Sequence, residues 1–162
     1  MKIGVLSDTH IISSPQGRQL AGQLMTGAFA GVDAILHAGD HVYQGLDGCF
    51  PPVPWYAVRG NKDRTLLDLP FNRSLILKGK RIGMVHGWGQ GGEIVKNVLN
   101  CFADDMPDVL VFGHSHQPEC RWVGSTLLLN PGSPTDPRLA PAPTVGVLTL
   151  GETVFGEIID LL

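Results

Sequence analysis

The chain lacks any CxxC pair, and its three cysteines, Cys49, Cys101 and Cys120, are an odd and scattered set. That excludes a disulfide framework and a cysteine-rich zinc site. No apolar run is long enough to span a membrane, and the opening one, Ile3 to Leu6, is too short for the core of a signal peptide. A cytoplasmic protein without membrane attachment is expected. A charge excess is missing too: the net charge of -3 gives no general attraction to nucleic acid or anionic lipid. Internal repeats and low-complexity linkers are absent. What is present is 162 residues, 43% hydrophobic and 17% charged, a composition that folds. The length reads as one domain, residues 1–162.

Five apolar, partly β-branched runs end in Gly, Asp, Asn or His. They are KIGVLSD (2–8), AILHAGD (34–40), PWYAVRGN (54–61), RIGMVHG (81–87) and DVLVFGH (108–114). Continuous rather than alternating apolar character predicts strands buried on both faces. Ser14 as N-cap before Pro15, with Leu20, Leu24 and Ala28 at four-residue spacing, predicts a helix over 15–30. Ile94, Val95, Val98, Leu99 and Phe102 mark a second helical stripe, with Glu93 near its positive N-terminus. The last third changes to short runs, RWVG, TLLLN, TVGVLTL and VFGEIID, whose Gly, Thr and Pro turns predict antiparallel hairpins. The Pro-rich stretch 134–143 reads as a surface loop. The architecture expected is an α/β sandwich of two sheets flanked by helices.

Six histidines stand out, four of them in the pairs His37/His41 and His114/His116. Asp8 and His10 follow the first run, Asp40 the second, Asn61 the third, His86 the fourth, and His114 and His116 the fifth. Ligands bind at the carboxyl ends of strands in open α/β sheets, so these residues are expected along one edge of the sheet. Two aspartates, four histidines and an asparagine exceed the needs of one metal ion and suit two, with one carboxylate shared. Imidazole and oxygen donors without thiolate fit manganese, iron or zinc better than calcium or magnesium alone. Two such ions roughly 3.5–4 Å apart can hold a bridging hydroxide and clamp a phosphoryl oxygen during in-line displacement. Each motif alone is an ordinary turn; the ordered set at successive strand ends carries the argument.

The motifs Asp8-Thr9-His10, Gly39-Asp40, Gly60-Asn61-Lys62-Asp63, His86-Gly87 and Gly113-His114-Ser115-His116, with NPGSPTDPR (130–138), resemble the calcineurin-like metallophosphoesterases. The resemblance is to their small bacterial and archaeal YfcE-type phosphodiesterases, and it spans nearly the whole chain. It implies a four-layer α-β-β-α sandwich of two mixed sheets flanked by helices, and hydrolysis of phosphodiesters. It implies that Asp8, His10 and His116 bind one metal, that Asn61, His86 and His114 bind the second, and that Asp40 bridges them. Manganese is the metal it favours, with zinc, iron, nickel or magnesium as alternatives. The substrate would be a small phosphodiester, a nucleotide among the options, and the protein by analogy a homodimer or homotetramer.

Two positions depart from that pattern. Lys62 stands where many relatives have histidine or cysteine, and Trp88 where many have a second histidine after Gly87. Lys62 is read either as a contact to the leaving oxygen or phosphate, or as a solvated loop residue. Trp88 is read either as a stacking surface for an aryl group or base, or as loop packing. His37 is expected at a strand end, partly in the core. His41 is expected to hydrogen-bond to a ligand or to substrate, Asp63 to orient its loop, and Arg138 to add charge at a phosphate rim. Ser7, Thr9 and Ser115 are read as turn residues donating hydrogen bonds rather than as nucleophiles. The alternatives to a phosphodiesterase are a phosphomonoesterase, and a protein-binding scaffold of the same fold that has lost catalysis.

Overall fold

The computed structural model describes residues 1–66 and 68–161. Two five-stranded sheets are stacked. One contains β1 (Lys2–Leu6), β2 (Ala34–His37) and β3 (Trp55–Ala57), all parallel, extended on the other side by antiparallel β9 (Thr144–Leu150) and β10 (Val154–Asp160) in the order β10-β9-β1-β2-β3. The other has the order β4-β5-β6-β8-β7. Its parallel centre is β5 (Lys80–Val85), β6 (Val109–Val111) and β8 (Thr126–Asn130), and β4 (Asn72–Leu77) and β7 (Glu119–Val123) are its antiparallel edges. Helix α1 (Ser14–Thr26) covers the first sheet and α2 (Gly92–Asn100) the second.

The unbroken apolar runs are explained by this layering. Within β1, Ile3 and Val5 face the core between the sheets with Leu36, Ile82, Met84, Val109, Val111 and Leu148. Leu6 turns outward to join Leu20, Leu24, Phe29 and Ile35 beneath α1. On the far side Ile94 and Val98 of α2 pack on Val85, Leu110, Phe112 and Leu128. Both faces of the central strands are therefore dry, and each fully buried side chain of this size contributes ~1.5–3 kcal/mol.

Several boundaries differ from the sequence expectation. Helix α1 begins at Ser14 with Ser13 in the capping position, and no side chain caps it; Pro15 still fits the first turn. The helix stops at Thr26 rather than residue 30, because Phe29 folds back with its N–H on the Leu24 carbonyl. Strand β4 was not expected: its residues alternate exposed and half-buried, with no continuous apolar run. Its hairpin to β5 turns through Lys78 and Gly79, both at positive φ, the geometry of a tight two-residue loop. The predicted hairpins β7–β8 and β9–β10 are present, but β8 also pairs in parallel with β6, and β9 returns to β1 in the other sheet. The Pro-rich loop is not purely superficial: Pro131 to Pro134 are buried. No described helix is long and apolar enough to cross a membrane.

Candidate metal centre

The expected donors meet at one end of the sandwich, but not along one sheet. Asp8, Asp40 and Asn61 follow β1, β2 and β3 of the first sheet, whereas His86 and His114 follow β5 and β6 of the second. The site is thus a seam between two sheets whose parallel strands end together. Its backbone is unusual. Among the described residues eight non-glycine residues have positive φ, and five of them are Asp8, His10, Asp40, His114 and His116. Asp and His tolerate the left-handed region better than most residues, and conformations of this kind gather at functional sites. The turns are also tight. A Cβ at Gly60 would collide with the Asp40 carboxylate, and one at Gly113 with Ser7 Oγ and Asp8 Oδ2.

Each aspartate anchors one oxygen and presents the other. Asp8 Oδ2 accepts from Ser7 Oγ at 2.7 Å and from the His114 N–H at 3.0 Å. Asp8 Oδ1 is buried without any hydrogen-bond partner, 3.3 Å from His116 Nε2, 3.8 Å from His86 Nε2 and 3.9 Å from His10 Nε2. Asp40 Oδ1 accepts the Lys62 N–H at 2.8 Å, while its Oδ2 stands 3.5 Å from His86 Nε2 and 3.8 Å from His10 Nε2. Asn61 Oδ1 lies 3.2 Å from both His86 Nε2 and His114 Nδ1.

The imidazoles are oriented by backbone carbonyls. His86 Nδ1 is 2.8 Å from the Ala38 carbonyl and His116 Nδ1 is 2.6 Å from that of Asp136, so each donates Nδ1–H and leaves Nε2 aimed at the carboxylates. His114 is turned the other way, with Nε2 3.3 Å from the Gly89 carbonyl and Nδ1 toward Asn61. Fixing the outer nitrogen in this way sets the tautomer a metal ligand requires. Burial would raise the Asp8 carboxyl, but the close imidazoles of His116 and His86 and the hydrogen bond from Ser7 outweigh it and hold the group below the usual carboxylate range.

Among the described residues, two three-residue groups bring their donor atoms within 4.8 Å of one another: Asp8, His10 and His116, and Asp8, Asp40 and His86. Asp8 belongs to both, where the resemblance implied Asp40 as the shared carboxylate; Asp40 nonetheless reaches both His10 and His86. The donor set and the orphaned Asp8 Oδ1 fit divalent cations. A buried carboxylate oxygen facing three imidazole nitrogens is a costly arrangement with nothing between them.

The surrounding residues divide. His41 is buried, with Nδ1 3.1 Å from Asp63 Oδ2 and its ring 3.6 Å from that of His37, so it lies behind the Asp40 turn. His37 is completely buried, deeper than expected. Asp63 accepts the N–H groups of Asp40, Gly60 and Val42 and binds His41. Trp88 is 41% exposed and pairs with Phe71 at a ring separation of 5.5 Å. Arg138 Nε lies 3.6 Å from Asp136 Oδ2, and Arg138 shares a cleft with His114. Ser7 donates as expected, but Ser115 Oγ accepts, from Gln117 N–H and Asn130 Nδ2. Thr9 Oγ1 accepts from His37, whose Nδ1 is occupied by the Gly39 N–H. The sequence reading missed the bracing by residues 130–136. Ser133 Oγ donates to the Asp8 carbonyl, Thr135 Oγ1 to that of Thr9, and the Asp136 carbonyl holds His116. The motif NPGSPTDPR was the available signal.

Comparisons with known proteins agree with this geometry. The profile of the calcineurin-like phosphoesterase superfamily domain matches residues 1–153. A probable metallophosphoesterase of Methanothermobacter thermautotrophicus is 38% identical over 162 residues, covering 98% of this chain and 92% of its own. The phosphodiesterase YfcE of Escherichia coli K12 is 33% identical over 99 residues, covering 57% of this chain and 50% of its own. A Vps29 variant from Entamoeba histolytica shares the fold with a TM-score of 0.70 and 21% identity, covering 100% of each chain. The stacked mixed sheets, the donors gathered at their seam and the profile match place this chain in the calcineurin-like phosphoesterase superfamily.

Proposed function

We propose that this chain is a dinuclear, metal-dependent phosphodiesterase. Asp8, His10 and His116 would hold one cation, Asn61, His86 and His114 the other, with Asp40 available to both. The observation that carries the reading is Asp8 Oδ1, buried, without a partner and ringed by the Nε2 atoms of three histidines. Two divalent cations bound there, manganese foremost, would acidify a water for attack on phosphorus and neutralise the phosphoryl oxygens. The chain's own residues do the positioning. Ser7 and the His114 N–H fix the Asp8 carboxylate, the Lys62 N–H fixes that of Asp40, and carbonyls of Ala38, Gly89 and Asp136 fix three imidazoles. Lys62, rooted on the Asp40 carboxylate, supplies a mobile positive charge for the ester's oxygens, and Arg138 a second at the cleft beside His114. The reading includes a small diester substrate and a cytoplasmic location.

A protein-binding scaffold of the same fold is the alternative; the orphaned Asp8 oxygen calls for a cation in either case, and turnover separates the two. The test is metal-stripped protein reconstituted with manganese, zinc, nickel or magnesium, assayed on 4-nitrophenyl mono- and diesters. Manganese-dependent diester hydrolysis is expected. Inactivity with every metal, and no bound metal by elemental analysis, would overturn the reading.

A further inference from the structure

Two clefts open beside the donor cluster, one more apolar than the other, and both share the loop that braces it. The first, about 310 Å³, lies beside His10, where Thr9, Thr135 and three glutamines of α1, Gln16, Gln19 and Gln23, join apolar Ile11 and Leu20. The second, about 610 Å³, lies beside His114; Ile94, Val95, Phe112 and Leu139 supply its apolar lining, and Gln90, Gln117, Glu119 and Arg138 its polar one. The loop carrying Pro134 and Thr135 into the first cleft carries Arg138 and Leu139 into the second. Leu139 is 91% exposed, an unusual state for leucine on a loop bent through positive φ at Arg138. Gln19 and Gln23 are exposed, and neither side chain has a hydrogen-bond partner among the described residues; Gln16 accepts the Ile12 N–H.

A phosphomonoester has one organic arm and a diester has two. From the two clefts we infer that the site selects an unsymmetrical phosphodiester, with a hydrogen-bonding, sugar-like arm beside His10 and a flat apolar arm beside His114. This rests on the phosphodiesterase reading and adds the class of each arm. The glutamine amides offer donors and acceptors to hydroxyl and amide groups. The second cleft has the size, and the larger apolar share, that fit an aryl group. Gln19, Gln23 and Leu139 are then the specificity-determining residues.

The test uses manganese-loaded full-length protein and a series sharing one 4-nitrophenyl leaving group, in which the second arm is absent, methyl, phenyl or thymidine. Binding of the phenylphosphonate ester of thymidine, whose phenyl arm is held by an uncleavable P–C bond, is measured by calorimetry in parallel, with release of thymidine monitored. The thymidine ester should exceed the methyl and phenyl esters in kcat/KM. Leu139→Glu should lower kcat/KM for every member of the series, since each carries the aryl arm, and Gln19→Leu with Gln23→Leu should lower the thymidine-to-methyl ratio, each about threefold or more. Both variants should weaken the analogue. All three substitutions lie on exposed positions, so folding is not at stake. Hydrolysis with unchanged kcat/KM, unchanged ratios and unchanged analogue affinity would overturn the two-cleft assignment and leave the phosphodiesterase reading standing. Analogue binding weakened by the variants, without hydrolysis of any ester, would support the clefts and overturn catalysis. No analogue binding would overturn the assignment outright.

Discussion

Asp63 holds Asp40 by its backbone: Asp63 Oδ2 accepts the Asp40 N–H at 2.8 Å. The same carboxylate accepts from Gly60, Val42 and His41, so the turns after β2 and β3, which bear the candidate ligands Asp40 and Asn61, are tied to one buried anion. Burial pushes its pKa up, but the His41 hydrogen bond and charge, with the Val42 and Gly60 N–H groups, outweigh this and hold it at about 2. Asp63→Asn should lower the unfolding free energy by roughly 2–3 kcal/mol, read from urea denaturation. A carboxylate with a depressed pKa contributes fully above its ordinary value of 3.8 and loses the contribution as pH falls through about 2. The gap between wild type and variant should therefore close in acid; a gap independent of pH would contradict the charged role.

His37 gives a second, milder pH dependence. Its Nδ1 accepts the Gly39 N–H at 3.1 Å, so the ring is neutral with Nε2–H toward Thr9 Oγ1. Burial, then the neighbouring His41, His86 and His10, push its pKa well below the ordinary 6.5. Below that pH the unfolded chain takes up a proton that the native ring refuses, so stability falls by up to about 1.4 kcal/mol per pH unit. His37→Gln removes this titration. The stability difference between wild type and variant should shrink from about pH 7 to about pH 5, measured by chemical denaturation at fixed salt.

Metal binding should appear as thermal stabilisation. Saturation to ~100 times Kd stabilises by about 2.7 kcal/mol, and chelation should lower Tm accordingly. His116→Ala removes a nitrogen 3.3 Å from the orphaned Asp8 oxygen. The manganese-induced rise in Tm should shrink in that variant. An equal rise in both proteins would place the metal elsewhere.

Gly113 marks the close approach of β6's loop to the Asp8 turn. The methyl of Gly113→Ala would overlap Ser7 Oγ and Asp8 Oδ2, displacing the carboxylate whose other oxygen faces the histidines. A loss of about 1–3 kcal/mol of stability is expected. Metal content per chain, by elemental analysis, should fall with it.

Lys62 follows the candidate ligand Asn61, and its backbone already serves Asp40. Lys62→Met keeps that N–H and removes only the ammonium. On a 4-nitrophenyl diester kcat/KM should drop about tenfold, with metal content unchanged. Unaltered kinetics would return Lys62 to the solvated loop.

The sequence by itself supplied the candidate donors and the layers. Residue type decides what can ligate, and unbroken apolar runs such as Ile3–Leu6 and Val109–Phe112 mean burial on both faces wherever the strands go. It could not show that β5 and β6 belong to a different sheet from β1, because strand pairing is a contact between distant segments. Strand β4 escaped for a related reason, since an edge strand needs no continuous apolar run. Tertiary structure alone decided which oxygen of each aspartate is free, which nitrogen of each histidine is spent on a carbonyl, and that five donors stand on positive-φ backbone. These depend on angles and neighbours set by packing. His114 and His116 are two residues apart in the chain, yet the fold turns their outer nitrogens to carbonyls of Gly89 and Asp136, in separate loops.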